Sequence, residues 1–202
     1  MQILNLEQGS PEWLDARKGV ITWTRLAKVL SKKADTRKGL IYELIAEKIA
    51  PTPEWVKTVA MERGNIIEEI VKENYPDIES AWFILKYDWL WLSPDWLVRE
   101  AGMYTKAVEI KSPEPKNFVK YRIEKEIPEE YFWQVVQYFI VIDELESLDF
   151  IIYNPEIYDK HFRMTKITVT RDEMSQFIQQ AKQALTVFRE EWLDTLKIFV
   201  NS

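Results

Sequence analysis

The spacing of apolar residues changes near residue 80 of this 202-residue chain. Before that point, apolar side chains recur at about 3.6 positions, which is the period of a helix. The predicted helices run from a cap at Thr22 or Thr24 to about residue 30, over 38–49 and over 54–75. Residues 80–98 and 104–111 are instead rich in Trp, Phe, Ile, Tyr and Val, which predicts an antiparallel meander.

The rest of the chain alternates between the two patterns after a break at Pro113 and Pro115. The predicted elements are a helix over 129–142, strands over 148–153 and 162–170, and a long amphipathic helix over 171–199. This order favours one α/β domain, residues 1–202, with a central sheet surrounded by helices. Its predicted parts are a helical part of about 1–76, a sheet-and-helix part of about 77–170 and a C-terminal helix of about 171–200.

The composition excludes several kinds of site. The chain has no Cys, which excludes disulfides, thiolate zinc sites and iron–sulfur clusters and is typical of a reducing cytoplasm. His161 is the only histidine, so we expect it to have a surface or structural role. No GxxxxGK[ST] phosphate loop occurs, so ATP is not an expected partner. We find no signal peptide and no apolar run of membrane-spanning length, so we expect a cytoplasmic protein without membrane contact.

Positive charge is concentrated in the N-terminal part, although the whole chain has a formal net charge of −6. Residues 17–48 contain nine basic and three acidic residues, which gives this segment a local net charge of +6. Such a segment can be an ordinary solvated helix face. It can also attract a nucleic-acid backbone, because phosphates bind Lys and Arg. The meaning of the segment therefore depends on the site beside it.

A candidate catalytic group lies in the predicted meander, at Asp95 in the turn Ser93-Pro94-Asp95 and at Glu109 and Lys111 further along. Residues two apart on a strand point to the same face, so Glu109 and Lys111 project together. If a hairpin brings Asp95 alongside, two carboxylates and one ammonium converge. Carboxylates bind Mg²⁺, and phosphoryl transfer uses metal ions with a nearby cation, which predicts a nuclease site. The alternative is a solvated strand face with cross-strand salt bridges.

Several short motifs occur in a fixed order along residues 7–155. They are Gln8-Gly9-Ser10-Pro11-Glu12-Trp13, Ile21-Thr22-Trp23-Thr24-Arg25, Gly64 with Glu68, Ser93-Pro94-Asp95, Glu109-Ile110-Lys111 and Gln134. No single motif is specific. Together they resemble the phage lambda exonuclease type, the YqaJ-like viral recombinase family of the PD-(D/E)xK nuclease superfamily.

The resemblance implies a restriction-endonuclease-like core, in which a mixed central β-sheet is flanked by helices. It implies a Mg²⁺-dependent enzyme that degrades one strand of double-stranded DNA from its ends in the 5′→3′ direction. Two Mg²⁺ ions are expected, with Mn²⁺ as a substitute. The resemblance also implies a toroidal homotrimer that works with a single-strand annealing protein in homologous recombination. Its setting would be the bacterial cytoplasm, as a phage or prophage protein.

The resemblance assigns roles to the residues around the candidate site. Asp95 and Glu109 match the metal-binding carboxylates, and the backbone carbonyl of Ile110 matches a further metal ligand. Lys111 matches the catalytic lysine. Glu68 matches an additional acid that helps to arrange a metal or its water, although a helix-surface acid is the alternative for it.

Two further matches concern the nucleophile and the DNA end. Gln134 matches the glutamine that positions the nucleophile, and Gln137, one helical turn later, is the fallback. A buried structural glutamine is the alternative. Arg25 matches the arginine that binds the terminal 5′-phosphate, with Ser93 as a second contributor. A surface arginine without a function is the alternative for Arg25.

Two features depart from the family pattern. Trp96 follows the Ser-Pro-Asp triplet where family members have Gly, so Asp95 must make its turn without that flexibility. The long interval from Asp95 to Glu109 predicts an extended hairpin around Arg99–Gly102.

The tryptophans predicted to lie in the core or an interface, rather than to stack on bases, are Trp89, Trp91 and Trp96.

Two other functions are compatible with the same residues. One is a structure- or sequence-specific endonuclease of the same superfamily. The other is a catalytically silent DNA-end-binding protein that kept the fold. The complete set of Asp95, Glu109 and Lys111 argues against the silent protein, and the lack of a recognisable specificity domain favours the exonuclease.

Overall fold

The computed structural model describes residues 2–51, 59–73, 78–80, 83–87 and 89–202. The helices are α1 (Pro11–Ala16), α2 (Trp23–Val29), α3 (Ala34–Ile49), α4 (Val59–Lys72), α5 (Pro115–Glu124), α6 (Glu129–Val141) and α7 (Arg171–Asn201). The strands are β1 (Gln2–Leu4), β2 (Ile78–Ser80), β3 (Phe83–Lys86), β4 (Leu90–Leu92), β5 (Trp96–Glu100), β6 (Met103–Lys111), β7 (Ser147–Tyr153) and β8 (Met164–Thr170).

Local signals explain where the N-terminal helices begin. Ser10 accepts a hydrogen bond from the Trp13 N–H at 3.1 Å, and Pro11 is the first residue of α1, where its missing N–H costs nothing. Thr22 lies at the N-cap of α2, one of the two predicted positions. Helix α3 begins at Ala34, four residues before the predicted start. The predicted residues 54–58 and 74–75 of the next helix lie outside the described residues.

A five-stranded mixed sheet organises the chain from residue 78 onward. Its strand order is β2-β5-β6-β7-β8. Strands β6 and β7 are parallel, whereas β5 is antiparallel to β6 and β8 is antiparallel to β7. The prediction of a mixed central sheet flanked by helices is therefore confirmed.

The predicted meander over 80–98 is wrong in its connections. Strands β3 and β4 leave the main sheet and form a second, three-stranded sheet with β1, in the order β1-β3-β4. Strand β1 pairs with β3 so that Ile3 lies opposite Ile84. Apolar content predicts that a segment is a strand but does not identify its pairing partner. The N-terminal strand β1 was not expected because its three residues are too few to show a period.

Helix α5 also differs from the sequence expectation. The predicted break after the meander is confirmed, because β6 ends at Lys111, but the helix that follows was not predicted. Pro115 occupies its first position, where a proline is tolerated. The helix ends at Glu124, and the next residue, Lys125, has a left-handed φ of 54°. Helix α6 is buried along all its residues from 134 to 141, because it lies beneath the sheet and contacts α2 and α7.

Helices α4 and α6 cover opposite faces of the sheet at β6. Val108 and Ile110 of β6 pack against Ile67 of α4. Ala107 packs with the buried side chains of α6 on the other face. Glu109 follows Ala107 by two residues and therefore points to the α6 face. This alternation places an acid between the sheet and a buried helix.

Helix α7 packs along its own chain. It begins with a capping box of Thr170 and Glu173. The guanidinium of Arg171 donates hydrogen bonds to the carbonyls of Leu145, Phe139 and Ile142 at 2.7, 3.0 and 2.7 Å. Its buried side chains are Met174, Ile178, Ala181, Leu185, Phe188 and Trp192. Among the helices of the described ranges, α7 included, none combines the length and the apolar character needed to span a membrane.

The aromatic and turn predictions agree with the structure. Trp89, Trp91 and Trp96 are 7, 2 and 5 % exposed, which confirms that they are core residues. Residues 101 and 102 form the turn of the β5–β6 hairpin with φ values of 49° and 87°, which agrees with the predicted hairpin around Arg99–Gly102. A bulge lies between Val98 and Arg99. His161 is exposed in a short 3₁₀ helix, in agreement with a surface role.

Phenylalanine substitutions in α7 test whether this helix belongs to the core of its own chain. Phe188 is fully buried, whereas Phe199 on the same helix is 47 % exposed. We expect Phe188→Ala to lower the free energy of unfolding by about 3–5 kcal/mol because it leaves a cavity. The matched variant Phe199→Ala should change it by about 0.5 kcal/mol or less. Urea unfolding followed by circular dichroism measures both, and equal losses would contradict this packing.

Candidate active site

The hairpin of β5 and β6 brings together the predicted catalytic residues. Trp96 lies opposite Val108 in the antiparallel pair, so Asp95 at the start of β5 is next to the end of β6. The Oδ2 atom of Asp95 accepts a hydrogen bond from the Ile110 N–H at 2.7 Å. Among the described residues neither Asp95 nor Trp96 is one of those with positive φ, so Trp96 in place of a glycine does not strain the turn. The predicted proximity is confirmed.

The carboxylate of Glu109 is the most enclosed group of this site. It is 1 % exposed. Its Oε1 atom accepts hydrogen bonds from the Lys111 ammonium and from the Gln134 side-chain amide, the latter at 2.6 Å. Its Oε2 atom accepts a hydrogen bond from the Tyr138 hydroxyl. These donors offset the cost of burying a charge between the sheet and α6.

Lys111 is a charged ammonium at the mouth of the site. Burial alone would lower the pKa of Lys111, but the negative charges of Glu109 and Asp95 outweigh it and hold the pKa above its ordinary value. The Nζ atom lies 5.9 Å from the ring centroid of Trp23 and 5.2 Å from that of Tyr131. These rings favour a cation between them.

The acids around Lys111 repel one another. Burial raises the pKa of Asp95 well above its ordinary value, and the negative charge of Glu109 adds to the increase. Burial and then the charge of Glu109 also raise the pKa of Glu68, a half-buried residue of α4. A divalent cation between these groups would relieve the repulsion. The structure therefore brings Glu68 into the electrostatic range of the predicted site.

The donor set fits a hard divalent cation. Asp95 and Glu109 offer carboxylate oxygens, and the backbone carbonyl of Ile110 directly follows Glu109 along the chain. No group of three or more His, Cys, Asp or Glu side chains in the described part of the chain is close enough to hold a metal ion by itself. The ammonium of Lys111 meanwhile occupies Oε1 of Glu109. A cation would thus share Glu109 with Lys111 or displace its ammonium.

The two candidate glutamines have different surroundings. Gln134 is 4 % exposed, donates to Glu109, and its Oε1 atom has no hydrogen-bond partner among the described residues. Gln137 is fully buried and donates to the carbonyls of Trp91 at 2.6 Å and Ile21 at 3.3 Å, and its Oε1 atom also has no hydrogen-bond partner among the described residues. Gln134 therefore belongs to the site, and Gln137 joins backbone segments.

Arg25 lines a cavity of 830 Å³ and makes no hydrogen bond or ion pair with this group among the described residues. Its guanidinium donates to the Val20 carbonyl at 2.7 Å, to Glu43 at 3.0 Å and to Glu47. Part of the positive charge of segment 17–48 is thus neutralised within the fold. The phosphate-binding role of Arg25 stays a prediction.

Ser93 contacts neither Arg25 nor the carboxylates in the hydrogen bonds of the described residues. It is exposed, and its Oγ atom accepts a hydrogen bond from the Trp91 indole N–H at 2.8 Å. Its predicted contribution to the phosphate pocket also stays a prediction.

Two residues of interest were missed by the sequence reasoning. Arg17 lines the cavity of Arg25, lies 4.2 Å from the ring centroid of Trp13, and has no carboxylate within 4 Å among the described residues. Burial lowers the pKa of Arg17, and the charge of Arg25 lowers it further. No local signal distinguishes Arg17 from its basic neighbours. Tyr138 could have been found, because a buried tyrosine hydroxyl needs a partner.

Comparisons with known proteins identify the family of this chain. A family model described as the YqaJ-like viral recombinase domain matches residues 12–144, more than half of the chain. No curated protein matches the sequence.

Solved structures share the fold. The alkaline exonuclease LHK-Exo from Laribacter hongkongensis has 21 % sequence identity and a TM-score of 0.71, over 95 % of this chain and 99 % of that one. Its complex with dAMP has 21 % identity and a TM-score of 0.70 over the same shares. A phage related exonuclease from Haemophilus somnus 129PT has 12 % identity and a TM-score of 0.66, over 89 % of this chain and 96 % of that one. Since its family model covers most of the sequence, the chain belongs to the YqaJ-like viral recombinase family.

Proposed function

We propose that this protein is a Mg²⁺-dependent exonuclease that degrades one strand of double-stranded DNA from its ends in the 5′→3′ direction. The observation that carries the proposal is the convergence of Asp95, Glu109, Lys111 and Gln134 at one end of the β5–β6 hairpin. Membership of the viral recombinase family and a fold shared with an alkaline exonuclease support it.

Asp95, Glu109 and the Ile110 carbonyl would hold the metal, with Glu68 beside them. We propose two Mg²⁺ ions, for which Mn²⁺ can substitute. When bound, such ions polarise the scissile phosphate and supply hydroxide near neutral pH.

The chain's own residues complete the chemistry. The Lys111 ammonium can face the phosphate and offset the negative charge that develops on it, because the Trp23 and Tyr131 rings keep it at the mouth of the site. The unpartnered Oε1 atom of Gln134 can accept a hydrogen bond from the attacking water and so orient it.

We assign the DNA end to the cavity lined by Arg17 and Arg25. The guanidinium groups of both residues would bind the 5′-phosphate that remains after each cut. The carboxylates of Glu43 and Glu47 pair directly with Arg25 and oppose an anion there. Arg17 interacts electrostatically with Glu47 but makes no ion pair within 4 Å among the described residues, which makes it the stronger contributor. A homotrimer around the duplex and a single-strand annealing partner, in the cytoplasm of a bacterium carrying the phage, complete the proposal.

A digestion assay tests the direction and the metal. Linear duplex DNA labelled separately at each 5′ and 3′ terminus should lose its 5′ label first, because the enzyme starts at that terminus. EDTA should abolish the loss, and added Mg²⁺ should restore it. Covalently closed circular duplex should stay intact. Cutting of the circle would favour the endonuclease, and binding of ends without any cutting would favour the silent protein.

Removal of the catalytic ammonium should separate hydrolysis from binding. We expect Lys111→Ala to lower the rate on linear duplex by at least about 100-fold, because it removes stabilisation of the developing charge. Duplex binding, measured by fluorescence anisotropy, should be retained. The control is Lys106→Ala on the same strand, since Lys106 pairs with Asp149 away from the site and Lys166 remains beside that acid. Wild-type cutting by Lys111→Ala would contradict the site.

The phosphate cavity can be tested through end preference. We expect Arg17→Ala and Arg25→Ala to reduce the preference for 5′-phosphorylated over 5′-hydroxyl ends, by about tenfold or more for Arg17, since each removes a charge-assisted hydrogen bond. Arg25→Ala should also lower Tm, because Arg25 ties α2 to α3. Lys38→Ala removes an exposed charge outside the cavity and should leave the preference intact. Equal loss on both ends would contradict the assignment.

A further inference from the structure

The side chain of Tyr138 connects the two segments that carry the candidate metal ligands. Tyr138 lies on α6, about one helical turn after Gln134, and it is fully buried. Its hydroxyl donates a hydrogen bond to Oε2 of Glu109. The same hydroxyl accepts a hydrogen bond from the backbone N–H of Asp95 at 3.3 Å. One oxygen atom therefore contacts both the start of β5 and the end of β6.

The hydroxyl is not required by the packing of the ring. Tyr138 belongs to the main hydrophobic core, and its neighbour in sequence, Phe139, fills an equally buried position without a polar atom. A phenylalanine at 138 would bury the same apolar surface and avoid the need to satisfy a polar group. The hydrogen bonds that the structure gives the hydroxyl are both made to residues of the candidate site.

The hydroxyl fixes the orientation of the Glu109 carboxylate. Lys111 and Gln134 both bind Oε1, so they act on the same end of the group. Tyr138 is the donor on Oε2 in the described structure. Without it the carboxylate could rotate about its terminal bond, and Oε2 would be buried beside an apolar ring. The three donors together select one orientation of the acid.

The same hydroxyl fixes Asp95 in position. The Asp95 carboxylate is held from one side by the Ile110 N–H, and the Asp95 backbone is held from the other side by Tyr138. Because α6 lies against the sheet, a residue of this helix sets the relative position of two acids that lie on different strands.

We propose that Tyr138 is a positioning residue that holds Glu109 and Asp95 in the geometry needed to bind a divalent cation. This inference rests on the proposed metal-dependent function. Tyr138 acts through the two acids and does not contact DNA, since its side chain has no exposed surface. Groups that orient the ligands of a metal typically contribute about 10- to 100-fold to metal affinity or activity.

Tyr138→Phe tests the proposal, because it removes only the oxygen atom. Mn²⁺ binding to the protein without DNA, measured by isothermal titration calorimetry, should weaken by about tenfold or more. The Mg²⁺ concentration that gives half-maximal cutting of linear duplex should rise by a similar factor. Excess Mg²⁺ should restore most of kcat, whereas KM for the duplex at saturating Mg²⁺ should stay unchanged. A general loss of structure would not weaken metal binding while leaving KM for the duplex unchanged.

Tyr121→Phe is the matched control. Tyr121 is 8 % exposed, and its hydroxyl donates to Glu130 at 2.9 Å, so the same atom is removed from a partner carboxylate outside the site. This variant should bind Mn²⁺ like the wild type. If Tyr138→Phe also binds Mn²⁺ like the wild type, or if both variants weaken it equally, the positioning role is wrong. If the wild type itself binds no Mn²⁺ and cuts no DNA, the proposed function fails and this inference fails with it.

Discussion

The burial of one carboxylate, that of Glu109, determines how this site is built. A charge between a sheet and a helix is stable only when donors surround it. Lys111 comes from the same strand as Glu109, whereas Gln134 and Tyr138 come from α6. The hydrogen bonds that satisfy the Glu109 carboxylate therefore join the sheet to α6. The apolar residues around the acid exclude water, which strengthens each of these contacts.

Much of the fold could be predicted from the sequence, because the spacing of apolar residues indicates the type of each element and which of its faces is buried. The helical N-terminal part, the β5–β6 hairpin, α6, β7, β8 and α7 all follow from it. The division of the meander into two sheets could not be predicted, since pairing depends on neighbours distant in sequence. The strand β1 is too short to show a period. Helix α5 was not predicted because the prolines at its start are more often found where regular structure ends.

The candidate site was predictable to a similar extent. The spacing of Glu109 and Lys111 on one strand and the turn at Asp95 gave the proximity that the structure confirms. The resemblance to known nucleases selected Gln134, but only the contacts distinguish it from Gln137. Arg17 could not be identified from the sequence. Whether Arg17 is available to bind an anion depends on which basic residues nearby pair with Glu43 and Glu47. The packing of α2 on α3 determines this pairing, and it selects Arg25.

The order of these residues along the chain has a consequence for protein synthesis. Asp95, Glu109 and Lys111 leave the ribosome before α6, so the acids are complete while two of the donors to Glu109 are still missing. Gln134 and Tyr138 can reach Glu109 only after the whole of α6 has docked on the sheet. A nascent or truncated chain without α6 therefore carries both acids without the two side chains that fix the orientation of Glu109.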